Sequence, residues 1–479
     1  MKRLVSGLRS ALRGGHDASL LGSLLLGLSV KGISTLATFS IAVVLARGLG
    51  PTGYGTYVFS LTLVALIALP LQSGLSQLVV RETARLALPR DMGHFEQLLS
   101  WARRRVLIIL AVVLVVSAGF WLMAGRPALT DPANRESVLA AGLLLIVTIP
   151  FTAIPSSALR GLGLGNLGQV PDLLIRHCSF LALLTIASAL LANGADGGAL
   201  NPMLVMGLHV AGSAIAFCMA TLFLRRARAR VDLDAAFEAE EPKTNTTTAA
   251  APKTTELPGP KFWQAASWAL LSVAGLQLLN ASIDMLALGW LRGDTEVGLY
   301  RVLVQMSTLV AFGLIAINPV IHGRFAKLYA KGEMAALQRL VSRAVLLSLV
   351  MAALPMLVLF AYGSPVLTWF FGTEYAAHGV TLRIILLGQL ANVAFGAVAA
   401  LLNMTGHQSD TVGGMLIAVA LNLVLNLTLI PIWGIMGAAT ATALSTALWN
   451  ALLWHMVWKR LGIDSSILGA GWRRHLRKP

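Results

Sequence analysis

The sequence predicts an all-α integral membrane protein: about twelve transmembrane helices in two six-helix lobes, related by a parallel pseudo-two-fold around a central cavity. Three observations predict it. The 479 residues are 56% hydrophobic and only 12% charged, more apolar surface than a water-soluble core can hide. Apolar stretches of about 20 residues, long enough to cross a bilayer as a helix, recur along the chain. Lysine and arginine gather in alternate loops between them. Barrel strands would be about half as long and would alternate in polarity, so the spans read as helices.

In chain order, residues 1–19 form a basic cytoplasmic or interfacial N-terminus. Leu4, Leu8, Ala11 and Leu12 share one helical side there, which suits an amphipathic helix lying in the interface; a plain positive anchor is the alternative. Lys2, Arg3, Arg9 and Arg13 precede a full-length span rather than a short apolar region with a small-residue cleavage site, so the first helix is expected to be retained. The N-lobe, 20–224, holds spans near 20–46, 54–80, 102–124, 138–158, 168–192 and 200–224. Residues 225–261 start with Arg225, Arg226, Arg228 and Arg230, pass through an acidic patch and end in Thr, Ala, Pro and Lys without apolar period, the composition of a disordered cytoplasmic linker. The C-lobe, 262–458, holds spans near 264–290, 298–320, 341–361, 379–402, 411–431 and 434–458, followed by a basic tail, 459–479.

Of the 37 lysines and arginines, 30 lie at the two ends and in the loops around 81–105, 159–176, 225–261 and 321–343. The opposite loops hold Arg47, Arg126, Arg135 and Arg292; Lys31, Arg301 and Arg383 fall within spans. The 30 therefore face the cytoplasm, with both termini. The net charge of +16 follows membrane topology and does not form the single basic surface that nucleic acid requires. Cys178 and Cys218 lie inside apolar stretches, which excludes a disulfide framework.

An internal repeat is visible. Tyr54-Gly55-Thr56-Tyr57 opens the second span of the first half and Gly298-Leu299-Tyr300 opens that of the second. Tyr57 and Tyr300 are each followed 24 residues later by an arginine, Arg81 and Arg324, so one offset of 243 residues fits both pairs. Both halves start on the same side, which makes the repeat parallel.

Polar faces inside the spans carry the functional argument, because a transport path must be lined while a structural bundle needs only small residues and scattered hydrogen bonds. Lys31, Ser34, Thr35 and Thr38 share one face of the first span, with the charge about 16 Å beyond its cytoplasmic end. Gln277, Asn280 and Asp284 recur at helical spacing in the seventh span, as do Arg301, Gln305 and Thr308 in the eighth. Asp284 is the one acidic residue assigned deep within a span; it either couples to a cation or proton, or neutralises Arg301 or Arg292. Arg383 and Asn392 are nine residues apart, on opposite sides of their helix, so both cannot line one cavity.

No phosphate-binding glycine loop, nucleophile motif or pair of carboxylates on one helix is present, so no enzymatic chemistry is expected. Gly161-Leu162-Gly163-Leu164-Gly165 reads as a loop between helices. His177, His209 and His322 lack metal-ligand spacing, and no metal or cofactor is assigned.

Several short motifs resemble one family in order and spacing: Lys31-Gly32, then Leu45-Ala46-Arg47-Gly48-Leu49-Gly50-Pro51 and Tyr54-Gly55-x-Tyr57, then Gly74-Leu75 with Arg81. In the second half they are Asp284, Val297-Gly298-x-Tyr300, Asn318-Pro319, Leu401-Leu402-Asn403-x-Thr405-Gly406 and Gly434-x-x-Gly437-Ala438-Ala439-x-Ala441-Thr442. The chain resembles the polysaccharide transporter branch of the multidrug/oligosaccharidyl-lipid/polysaccharide exporters, the lipid-linked oligosaccharide flippases. The resemblance implies a V-shaped bundle that carries a polyprenyl-diphosphate-linked glycan to the outer leaflet of a bacterial inner membrane by alternating access. Its linker is longer and simpler than the family's pattern. On this expectation Lys31 meets the diphosphate, Arg301, Arg47 and Arg383 receive it on the outer side, and Gln305 lines the path. Asp284, Asn280 and Gln277 serve ion coupling or charge pairing, with Na+, H+ or the membrane potential as driving force. Expected partners are the bilayer, the glycan-lipid and polysaccharide polymerase or assembly proteins; the protein itself is expected to be a monomer.

Two other readings compete. A cation-coupled exporter of amphipathic small molecules would use a carboxylate as its drug or proton site. A glycan polymerase or ligase would carry a large extracytoplasmic loop, and the longest here is under about 20 residues.

Overall fold

A computed structural model describes residues 20–72, 74–86, 91–123, 133–193, 199–240 and 259–467. The amphipathic reading of the first sixteen residues and the ends of the linker and tail, 241–258 and 468–479, lie outside them. Over the described residues, each predicted span falls mainly on helix. The elements are α1 (Leu20–Ile67), α2 (Leu69–Gln72), α3 (Leu75–Thr83), α4 (Met92–Met123), α5 (Arg135–Gly161), α6 (Gly165–Gln169), a π-helical turn (Val170–Ile175) leading into α7 (Arg176–Asn193), and α8 (Pro202–Glu240). The second half brings α9 (Pro260–Leu291), α10 (Asp294–Ala330), α11 (Met334–Phe371), a 3-10 turn (Thr373–His378), α12 (Gly379–Phe395), α13 (Val398–Met404), α14 (Gln408–Trp433) and α15 (Ile435–Leu461). Among the described residues, eight helical stretches are long and apolar enough to cross a membrane by length and composition.

Glycine and proline set the breaks. The first two spans run through α1 as one element bent at Gly50, whose φ of 66° and ψ of 177° are not helical, with Pro51 starting the next turn. The equivalent break in the second half is Gly293, φ 96° and ψ 179°, immediately before α10. These two glycines are 243 residues apart, the offset of the sequence repeat, and adopt the same conformation. The predicted span 54–80 is interrupted after Ile67, and the span 379–402 is split at Gly396, φ 72°.

Residues 225–240 of the predicted disordered linker are helical. Helix α8 continues through the Arg225–Arg230 run to Glu240, because Arg, Ala and Glu are strong helix formers and Arg228 pairs with Glu96 on α4.

The residues divide into two compact units. The first takes the chain up to Thr38, Leu63–Ala189 and Met203–Gly275; the second takes Phe39–Thr62, Leu190–Pro202 and everything from Leu276. In the first unit the fully buried Trp263 packs against Leu78 and Leu98, with Trp101 beside it. Glu82, 3% exposed, is held there by Arg81 at 2.8 Å and Arg85 at 3.2 Å, which makes Arg81 a structural landmark. In the second unit, Phe325, Leu337, Leu402, Leu453 and Val457 form a core that the chain end closes over. Gln338 donates to the Asp464 carbonyl at 2.7 Å and accepts from its N–H at 2.9 Å, and the Ile467 N–H donates to the Ala394 carbonyl at 3.0 Å, satisfying the interrupted end of α12.

Candidate functional site

Among its described residues the second unit buries one carboxylate, Asp284 on α9, at 7% exposure. A lone carboxylate at such depth is costly unless donors replace its water. Three do, each from a different helix. Thr442 of α15 donates to Oδ2 at 2.6 Å, Tyr300 of α10 to the same oxygen at 3.1 Å, and Asn426 of α14 to Oδ1 at 2.8 Å. Asn426 also sits 2.6 Å from Oδ1 of Asn422, one turn earlier, and Asn422 donates to Ser445 at 2.9 Å. The sequence reading missed all of these partners except Tyr300 and Thr442, which it had noted only as motif positions.

The Asn426 carbonyl oxygen is buried and has no hydrogen-bond partner. With the Asp284 carboxylate, the Asn422 and Asn426 amide oxygens and the Thr442 and Tyr300 hydroxyls, the cluster is an all-oxygen set with one charge. Such hard ligands suit Na+ or a proton; a structural Zn2+ would take Cys or His. No group of three or more His, Cys, Asp or Glu with metal-site geometry occurs among the described residues.

The two arginines weighed as counter-charges for Asp284 are engaged elsewhere. Arg292 donates to the Ile430 carbonyl at 3.2 Å and lies 3.8 Å from Glu296. Arg301 is hydrogen-bonded to Tyr54, with Tyr57 in its field. Gln305, one turn along the face from Arg301, is buried, whereas Gln277 is exposed and Asn280 is half-buried, its carbonyl oxygen unpartnered. Of the seventh-span stripe, Asp284 is the residue that belongs to the enclosed cluster.

Arg47 and Arg383 are both held by main-chain carbonyls. Arg47 donates to the carbonyls of Phe370, at 2.8 Å, and Trp369, capping the end of α11. Arg383 donates to the Phe360 carbonyl at 3.0 Å and lies 5.7 Å from that ring's centroid. Asn392 turns to Asn450 at 3.2 Å, so it and Arg383 serve different neighbours, as their spacing required.

In the first unit Lys31 is half-buried on α1, and the hydroxyls beside it turn inward on the helix: Thr35 donates to the Lys31 carbonyl at 2.9 Å and Thr38 to that of Ser34 at 2.8 Å. A second carboxylate within an apolar helical stretch escaped the sequence reading. Asp172 lies in the π-helical turn, near Arg176 and Arg160, inside a helical stretch apolar enough to span. Pro171, which lacks an N–H, gives this turn its irregular backbone.

No family model matches the chain. Over 194 residues it is 26% identical to the probable low-salt glycan biosynthesis flippase Agl15 of Haloferax volcanii, a match covering 40% of each protein. Two solved structures are similar across nearly the whole chain, each at 13% identity. One is an inward-facing multidrug resistance MATE family transporter of the MOP superfamily, TM-score 0.65, covering 92% of this chain and 98% of that one. The other is the lipid II flippase MurJ in an inward closed conformation, TM-score 0.66, covering 90% of this chain and 87% of that one. The chain shares the fold of these two solved transporters, and a likeness to flippases is found in both comparisons.

Proposed function

We propose that the protein is a flippase that moves a polyprenyl-diphosphate-linked oligosaccharide from the cytoplasmic to the outer leaflet of the cytoplasmic membrane by alternating access, with both termini inside. The observation that carries this reading is the state of the buried charges. A drug-exporting relative would need an open carboxylate for an organic cation, and Asp284 is enclosed by three donors. Lys31, half-buried on α1, is a compact cation suited to a phosphate without fixed bidentate geometry. Arg301 would take the anion on the outer side once released from Tyr54. Outward movement of each negative charge toward a positive exterior gains about 2.3 kcal/mol per 100 mV if it crosses the full field, so ATP is not required. The cluster around Asp284 would bind the coupling Na+ or H+.

The test is the sidedness of the glycan-lipid in cells lacking the protein, read with a probe confined to the outer leaflet. Intact glycan-lipid trapped on the cytoplasmic leaflet, with loss of surface polymer and rescue by the gene, is the expected result. Normal outer-leaflet exposure in the absence of a redundant transporter would move the export of amphipathic small molecules to first place; the MATE-like fold accommodates that activity equally well.

A further inference from the structure

At the arginine-rich end of the first unit, cations from three helices gather on one aromatic core. The Arg81 guanidinium of α3 lies 5.4 Å from the centre of the Phe262 ring, and that of Arg105 on α4 lies 5.4 Å from the centre of the Trp101 ring. Trp101 and the fully buried Trp263 pack with their ring centroids 5.5 Å apart, and Trp263 follows Phe262 at the start of α9. Trp263 also packs against Leu78 of α3 and Leu98 of α4, which joins the three helices. Exposed Lys261 adds a further charge beside Phe262. The neighbouring carboxylates are already engaged, Glu82 by Arg81 and Arg85 and Glu96 by Arg228 of α8. Two donors of the core have no acceptor among the described residues: Nη2 of Arg81 and the Nε1–H of Trp263. Beyond these cations α4 turns apolar and stays exposed. Arg104, Ile108, Ala111 and Val115 fall on one helical face, with Ile108 59% and Val115 71% exposed.

We propose that this end of the first unit binds an anionic phospholipid, whose phosphate accepts from Arg81, Arg105 and Lys261 while an acyl chain lies along the Ile108–Val115 face of α4. Positive charge at a membrane boundary attracts anionic headgroups in general and gives them no fixed place. Two features make a place here. Stacking on Phe262 and Trp101 holds the guanidiniums in position, and a phosphate oxygen is the acceptor that the unused donors lack, each costly to leave unmade in a dry surrounding. Phe262, which lies over Arg81, is 45% exposed and can turn aside for the headgroup. The apolar face beneath the charges favours a phosphate carried on a tail over a free one. The bound headgroup fastens the start of α9 to α3 and α4, the same three helices that Trp263 joins. The site is independent of what the protein transports.

The experiment uses the purified full chain in detergent, offered phosphatidylglycerol and phosphatidylcholine of matched chains, with the lipid retained on the protein counted by native mass spectrometry. One phosphatidylglycerol is expected to be held in clear preference to phosphatidylcholine, and equal retention of the two overturns the proposal. Arg105→Gln with Lys261→Gln is expected to lower that retention about tenfold, as the loss of two headgroup charges implies. The control is Arg339→Gln with Arg343→Gln, an exposed pair on α11 of the second unit, which is expected to leave retention unchanged. Equal losses in the two double variants would mean general attraction to a basic surface and overturn the proposal. Arg81→Lys keeps a cation for Glu82 and removes Nη2; it is expected to weaken retention several-fold at an unchanged melting temperature, and unaltered retention counts against the site. Two competitors identify the source of the phosphate. Release of the lipid by excess inorganic phosphate, or by polyprenyl phosphate at an amount where added phosphatidylcholine releases none, would assign the site to a free anion or to the cargo and overturn the phospholipid assignment.

Discussion

The first span of one half can be laid on that of the other by the same 243-residue offset, and the two differ where charge is concerned. Gly32 falls on Gly275, but Lys31 falls on Ala274 and Asp284 on Ile41. Ile41 and Asp284 are equally buried, 7% each, and Asp284 lies inside a hydrogen-bonded cluster. Of the three donors on Asp284, only Tyr300 has a polar counterpart, Tyr57; Asn426 and Thr442 fall on Leu183 and Ala199. The scaffold therefore repeats what the backbone needs, glycine at 50 and 293 and at 55 and 298, while Lys31 and Asp284 each occur once. A transporter built from two like halves performs unlike tasks with them: on the reading above, anion capture in the first and ion coupling in the second.

The sharpest way to break this comparison is Ile41→Asp. The site has the burial of Asp284 without its donors, so the carboxylate is stranded at a cost of about 3–5 kcal/mol. Membrane abundance should fall steeply, and the surviving protein should show no new dependence on Na+ or pH; a well-folded variant with a new ion response would show that burial alone makes the site. Asp284→Ala comes next. It leaves three donors short of their common acceptor at about 1–3 kcal/mol each, partly recovered because Tyr300 and Thr442, 2.9 Å apart, can pair with each other. Thermal unfolding in detergent should register a net loss of about 2–3 kcal/mol. Asp284→Asn should stay folded yet lose coupling, and an Asn variant whose transport keeps its ion dependence would remove the ion role. Lys31→Ala should reduce transport at least tenfold with little change in melting, and Lys31→Glu should do more; full activity in both, at normal abundance, would end the phosphate assignment.

The membrane class, the helices and the internal repeat were legible because each rests on periodicity or composition, which a single chain displays. Asp284 was legible as an intramembrane charge, but its partners were not: Asn426 and Thr442 lie 142 and 158 residues away, on helices whose own pattern gives no direction toward α9. Gln277 and Asn280 were grouped with Asp284 because helical spacing puts them on one side, yet spacing does not say how far along a helix the enclosure extends. The surroundings of the arginines were hidden for another reason. Arg47 and Arg383 are visible as charges, but the carbonyls that hold them belong to a chemistry every residue carries. Asp172 was passed over because it sits at the end of its apolar stretch, where a boundary of a few residues decides whether a carboxylate counts as intramembrane.

The smallest expected effects are those of the two carbonyl-bound arginines, and they sharpen the distinction between charges that hold the scaffold and charges that handle cargo. Arg47 caps the last turn of α11, an interaction with terminal carbonyls worth about 1 kcal/mol or less at an exposed position, so Arg47→Ala should lower the melting temperature by about a degree and transport by less than threefold. Arg383 is also exposed, with one carbonyl bond and one ring contact, and Arg383→Ala should cost less still. The informative variant is Arg383→Lys. Lysine keeps the charge but cannot lay a planar guanidinium along the Phe360 ring and its carbonyl together. If Arg383 serves the scaffold alone, Lys and Ala should behave alike in both melting and transport. Transport retained by Lys and lost by Ala, at equal stability, would mean that the charge itself meets the anion, and Arg383 would then join Lys31 and Arg301 on the path.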